Sequence, residues 1–214
     1  SVTYVPGSIC HLCARPVTGM AGLSWVVSRP AGIELTKTEV TVGQYRACVE
    51  AGKCSRPNSY KGCNWDQKGR DQHPVNCVDW NQATAFCAWA GGRLPTKQEW
   101  QAEASDGGKR QYPWGNAEVS CDLAIWSGGG PGCGRESTWP VCSKPAGNSV
   151  SGLCDLSGNV SEWTSSLEIT ARVYCGGSWN DVNTGNLQAS ARGGRTPSRW
   201  GRDHGFRCGR SAKP

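Results

Sequence analysis

Leu156-Ser-Gly-Asn-Val-Ser-Glu-Trp163 is the stretch from which the fold is read outward. Its Ser-Gly-Asn turn signal feeds Val160, Glu162 and Trp163, so the chain reads as a turn followed by an extended piece from 160 to 163. Gly158, Val160 and Glu162 are spaced by two, and an extended backbone presents them to one side. Further candidate strands are Val173 to Cys175 and Gly205 to Cys208 downstream, with Val2 to Val5 and Ile33 to Thr36 near the start. Beyond about residue 110 helical periodicity disappears, and Gly, Pro, Asn and Ser punctuate short apolar pieces.

Helix starts lie upstream. Thr41-Val-Gly-Gln44 is a capping box, in which Thr41 caps the backbone and Gln44 reaches back. The helix it opens is expected to run through Tyr45, Ala47 and Cys48 and to stop near Gly52. Asp79-Trp-Asn-Gln82 opens a second, ended by Gly91-Gly92. Thr96-Lys-Gln-Glu99 opens a third, with Trp100 on its buried face and Asp106-Gly-Gly108 beyond its end. The pattern is α+β: short helices early, then much irregular chain.

The 214 residues fit one domain and contain 29 Gly, 11 Trp and 13 Cys against two Phe and one Met. Many tight turns and a few large aromatic anchors follow from such a composition. Mean hydropathy is −0.52, and no apolar run approaches the ~18–20 residues of a membrane span. No secretory signal is present, and a chain starting at Ser1 is expected to have lost a leader. The formal net charge is +6. Residues 189–214 carry Arg192, Arg195, Arg199, Arg202, Arg207, Arg210 and Lys213 against Asp203, seven minus one, so the excess is local. It would steer an acidic partner, or be a solvated arginine face with internal ion pairs. No nucleic-acid motif accompanies it.

Cysteines spread along the whole chain suit disulfides in an oxidising compartment: extracellular, cell-surface or periplasmic. Cys10-His-Leu-Cys13 has the close spacing of a metal site, but no second such pair completes four ligands. An odd count leaves at least one thiol free or bonded to another chain.

Seven motifs in order carry a resemblance. They are Thr38-Glu-Val-Thr-Val-Gly-Gln-Tyr45, His73-Pro-Val-Asn-Cys-Val-Asp-Trp80, Gly91-Gly-Arg-Leu-Pro-Thr96 with Glu99-Trp100, and Tyr112-Pro-Trp-Gly-Asn116. The stretch 156–163, Gly176-Gly-Ser-Trp179 and Gly205-Phe-Arg-Cys208 complete the set. From about residue 33 to 210 the chain resembles the formylglycine-generating enzyme (sulfatase-modifying factor) family. The resemblance implies a single compact C-type-lectin-like domain, low in regular structure and disulfide-rich, with its ends in a shared sheet. Residues 33–214 would form that domain, and 1–32 an atypical arm packing on or extending from it.

Catalytic members oxidise a substrate cysteine with two thiolates that hold Cu(I), placed a few residues after the Gly-Gly-Ser-aromatic motif. Here no cysteine lies between Cys175 and Cys208, so copper is not expected and catalysis of that kind is not implied. A second branch uses non-haem iron held by histidines of an extra helical domain. This chain has only His11, His73 and His204, with no spacing that suggests a facial triad.

The resemblance also implies structural calcium held by Asp155, Gly158, Val160 and Glu162, two carboxylates and two carbonyls. It carries over one bridge, Cys87–Cys208, closing a loop for which chain entropy gives on the order of 4–5 kcal/mol. Cys121–Cys133 and Cys142–Cys154 are expected to staple local loops, and Cys54–Cys63 and Cys48–Cys77 are weaker expectations. Cys10, Cys13 and Cys175 remain over. The C-terminal stretch lines the ligand face in this fold. Candidate ligand-binding residues are Asn180, Asp181, Asn183, Asn186, Arg195, Arg199, Trp200, Arg202 and His204, with Trp179 in the core and Trp200 exposed. The expected function is a secreted or surface binding module for a polar or acidic ligand, glycan or protein. The alternatives are a self-assembling structural subunit and a metal-dependent oxidoreductase with an unrecognised site.

Overall fold

The computed structural model describes residues 22–212. The expected strand at Val2 to Val5, the Cys10/Cys13 pair and most of the arm lie outside that range. Three α-helices form where the capping boxes place them: α1 Val42–Glu50, α2 Trp80–Trp89 and α3 Lys97–Ala104. In each, the cap side chain accepts from the third helical N–H, and the third residue's side chain reaches back to the cap backbone. Two orphan donors per helix are thereby satisfied. Gly52 and Gly91 follow α1 and α2 with positive φ, as their endings require.

Seven strands make two sheets. β1 Trp25–Ser28, β2 Ile33–Thr36 and β7 Gly209–Ser211 form the first, in the order β1-β2-β7. Both described ends of the chain thus meet on β2, and β1 joins the last residues of the arm to the sheet. The second sheet holds β3 Ser161–Glu168, β4 Ala171–Cys175, β5 Arg192–Arg195 and β6 His204–Gly205, in the order β5-β4-β3-β6. β6 pairs parallel to β3, whereas β3 with β4 and β4 with β5 run antiparallel. The expected strand at Gly205 to Cys208 is thereby corrected: the chain leaves β6 after Gly205 and re-enters a sheet at Gly209. Between them Phe206, Arg207 and Cys208 plunge fully into the interior.

Tyr45 of α1 stacks on Phe86 of α2 at 5.5 Å, and Phe206 meets Phe86 edge-on at the same separation. Trp163 of β3 closes this cluster. A second cluster packs Trp100 of α3 against Leu153, Leu156 and Val173. Each fully buried large apolar side chain contributes roughly 1.5–3 kcal/mol.

Five disulfides link described residues. Cys87–Cys208, Cys121–Cys133 and Cys142–Cys154 form as expected. Cys54–Cys63 and Cys48–Cys77 do not: the pairs are Cys48–Cys54 and Cys63–Cys77. The reason is local. The turn after α1 hydrogen-bonds the N–H groups of Lys53 and Cys54 to the Cys48 carbonyl, which brings the Cys48 and Cys54 Cα atoms to 5.3 Å. Cys175 is a buried free thiol.

Candidate functional site

The loop after β4 is set by Gly176 and Gly177, with φ of 97° and 64°. A Cβ on Gly176 would lie 3.1 Å from the Leu156 carbonyl oxygen, and one on Gly177 would lie 2.9 Å from that of Asn186. Side chains are therefore excluded twice over, by dihedral and by contact. Trp179 is 3% exposed, as expected of a core residue, and its indole N–H donates to the Arg202 carbonyl. Asp181 then folds back on the loop. Its Oδ2 accepts from the Ser178 N–H and hydroxyl, both at 2.8 Å, and its Oδ1 accepts from Asn186 Nδ2 at 2.6 Å. In the stretch after Gly-Gly-Ser-Trp179, where the resemblance would place two thiolates, this chain carries a hydrogen-bonded Asp–Asn pair.

Asp181 and Asn186 face β4, β5 and β6 across a cleft of about 190 Å³. Arg192, Arg195, Asp203 and His204 line it with them. His204 is 1% exposed and its Nδ1 lies 2.9 Å from Asp203 Oδ1. A carboxylate only accepts, so Nδ1 carries the proton. The opposite nitrogen, Nε2, is buried without a partner among the described residues. Burial pushes the Asp203 carboxyl up, but the His204 hydrogen bond and charge, with Arg195, overcome this and hold it at about 2. Tyr174 packs edge-on to the His204 ring at 4.4 Å. Cys175 lines the same cleft, and burial followed by the Glu162 charge pushes its thiol up to about 12. It stays protonated at neutral pH, which suits neither a nucleophile nor a Cu(I) ligand.

Four of the candidate ligand residues meet here: Asp181, Asn186, Arg195 and His204. Asn180 and Arg202 lie instead in a separate groove, with Lys61, Gln67, Arg70 and Arg135. Asn183 accepts from the Gly185 N–H and serves its own turn. Arg199 is exposed and lines neither depression. Trp200 is half-buried beside Tyr60 rather than exposed, with ring centroids 6.4 Å apart. The arginines are also less free than the charge count implies. Arg192 pairs with Glu168, Arg195 with Asp203, Arg210 with Glu34, and Arg207 is buried against Glu162.

The four positions implied for calcium surround that buried pair. Glu162 Oε1 accepts from Arg207 Nη2, and Oε2 from Arg207 Nε and Trp100 Nε1. Asp155 Oδ2 accepts from the Cys142 N–H at 2.6 Å. Glu39, which the sequence reading missed, is fully buried and accepts from the Val160 N–H and Asn159 Nδ2. Its carboxyl is raised well above the ordinary range by burial, then by the charges of Asp155 and Glu162. Three buried carboxyl groups thus face one guanidinium, and burial favours the neutral form of two of them, Glu39 and Asp155. Among the described residues no hydrogen bond reaches Asp155 Oδ1 or the carbonyls of Gly158 and Val160. Both Glu162 oxygens are already taken by Arg207 and Trp100, and among the described residues no group of three or more His, Cys, Asp or Glu side chains is placed to hold a metal ion.

The profile of the sulfatase-modifying factor enzyme 1-like domain matches residues 26–212. The inactive C-alpha-formylglycine-generating enzyme 2 of Mus musculus is 41% identical over 65% of this chain and 49% of its own length. The formylglycine-generating enzyme of Streptomyces coelicolor is 35% identical over 71% of this chain and 57% of its own. The chain thus spans about half the length of these curated relatives. Among solved structures, Treponema denticola variable protein 1 superposes with a TM-score of 0.69 at 21% identity, covering 84% of each chain, a likeness of fold. The ordered motifs, the two-sheet architecture and the matched profile agree: the chain belongs to the sulfatase-modifying factor (formylglycine-generating enzyme-like) family.

Proposed function

We propose that this chain is a non-catalytic binding module on the formylglycine-generating-enzyme scaffold, which takes a polar ligand in the cleft between the 176–188 loop and strands β4 to β6. The cleft itself carries the reading. Its lining pairs Asp181 with Asn186 where the resemblance would place two thiolates, and offers the unpartnered His204 Nε2 and the Arg195 guanidinium to a ligand. His204 Nε2 is a free hydrogen-bonding atom for a polar ligand group, and Arg195 donates to a ligand oxygen. A relative described as inactive, at 41% identity, supports the same reading. Five disulfides fit an oxidising compartment, whether extracellular, cell-surface or periplasmic. No helix among the described residues is long and apolar enough to cross a membrane. Calcium bound through Asp155 Oδ1 and the Gly158 and Val160 carbonyls would be structural.

The test has two arms. Copper-loaded protein is incubated with a cysteine-containing sulfatase-type peptide, and aldehyde formation is followed by mass spectrometry. None is expected, and turnover overturns the reading. Short-peptide and oligosaccharide arrays are then probed with the wild type and with Asp203→Asn, which removes the charge that orients His204. Ligands retained by the first and lost by the second support the cleft. Ligands bound equally by both place recognition elsewhere.

A further inference from the structure

A second site is built on the other side of Trp179. A groove of about 510 Å³ is lined by Lys61, Arg70, Arg135 and Arg202, opposed by Glu136 alone. Four cations against one acid give a lining charge of +3, half of the formal charge of the chain. None of the four has a carboxylate within ion-pair distance among the described residues, whereas Arg192, Arg195, Arg207 and Arg210 all have one. The groove cations are held by other means. Arg135 lies 3.5 Å over the Trp139 ring, which carries Lys144 at 4.3 Å as well. Arg202 lies 5.1 Å over Trp179, and Arg70 donates to the Thr138 carbonyl and the Ser137 hydroxyl. Aromatic faces and carbonyls orient these charges without neutralising them.

The neighbouring His73 feels the result. Burial first, then the charges of Arg70 and Arg135, hold its imidazole down at about 4. The unpaired guanidinium and ammonium groups make the groove wall positive. Such a field in a concave surface concentrates anions.

We propose that this groove binds an anionic oligosaccharide, one bearing sulfate or uronic-acid groups. The cations arrive from three separate segments and line a depression, so they match charges repeated along a chain rather than one point charge. Between them stand hydroxyl- and amide-bearing side chains, Gln67, Ser137 and Asn180, suited to sugar hydroxyls. The apolar lining is limited to Pro131 and the buried Trp179, which gives an acidic peptide little to anchor its side chains. The site is independent of the cleft that holds His204.

The experiment is calorimetric titration with a heparin-derived hexasaccharide, its desulfated counterpart and a hexaglutamate peptide. Arg135→Gln/Arg202→Gln is compared with the control Arg29→Gln/Lys53→Gln, which removes the same charge from exposed positions outside the groove. The sulfated hexasaccharide is expected to bind, with salt-sensitive affinity lowered on the order of tenfold by the groove pair and little by the control. Circular dichroism spectra that match the wild type establish that both variants fold. No binding of the sulfated hexasaccharide, equal loss in both variants, or tighter binding of hexaglutamate each overturns the proposal.

Discussion

Glu162 and Arg207 form a two-point ion pair, with both hydrogen bonds at 2.6 Å and both side chains essentially out of solvent. The guanidinium also donates to the carbonyls of Thr36 and Cys154, so it ties β2, β3 and the Cys142–Cys154 loop to one point. Its removal exposes Glu162, Glu39 and Asp155 to one another. Arg207→Met is expected to destabilise the fold by about 3–5 kcal/mol, read from the urea midpoint. Glu162→Gln is expected to cost less, because Glu39 and Asp155 remain to offset the arginine.

The disulfides should rank by the loops they close. Loss of Cys87–Cys208, with a separation of 121 residues, is expected to cost on the order of 4–5 kcal/mol in the chain-entropy model. Loss of Cys48–Cys54, separation 6, is expected to cost about 2 kcal/mol. Paired Cys→Ser variants compared by denaturant titration check the order.

Stability should fall with acid through His73. Its ordinary value is 6.5 and its folded value about 4, so the unfolded chain binds the proton first. The contribution is intact above 6.5 and is lost progressively as pH falls from 6.5 toward about 4. Arg70 and Arg135 both face the ring, and Thr138 Oγ1 lies 2.9 Å from Nδ1. In His73→Gln the slope of stability against pH across that window should flatten. An unchanged slope would assign the acid sensitivity to other groups.

Cys175 should be inert in the native protein. It is 1% exposed with a thiol at about 12, so Ellman's reagent is expected to miss it until denaturant is added. Fast native labelling at this position, located by mass spectrometry, would show that the cleft opens.

What the sequence disclosed was what is local. Thr41, Asp79 and Thr96 announce their helices because a capping box closes within four residues. β2 was legible from Ile33 to Thr36, and Trp179 from its motif. β5 was not: Arg192-Gly-Gly-Arg195 has no apolar alternation and is a strand only because β4 supplies partners. The Cys48 and Cys63 pairings failed for a related reason, since they depend on how a helix end turns. Asp181, Asn186, Arg195 and His204, four of the nine candidate residues, line one cleft because they share one stretch. The groove was not legible, because Lys61, Arg70 and Arg135 reach Arg202 only through the fold.

The floor beneath the His204 cleft is backbone: Gly176 and Gly177 pressed against the carbonyls of Leu156 and Asn186. Its walls are side chains: Asp181, Asn186, Arg192, Arg195, Asp203 and His204. Such a division separates heritable shape from exchangeable chemistry. Substitutions among those side chains would alter the chemistry of the cleft while Gly176 and Gly177 hold its platform in place, so the surface can change without re-solving the folding problem.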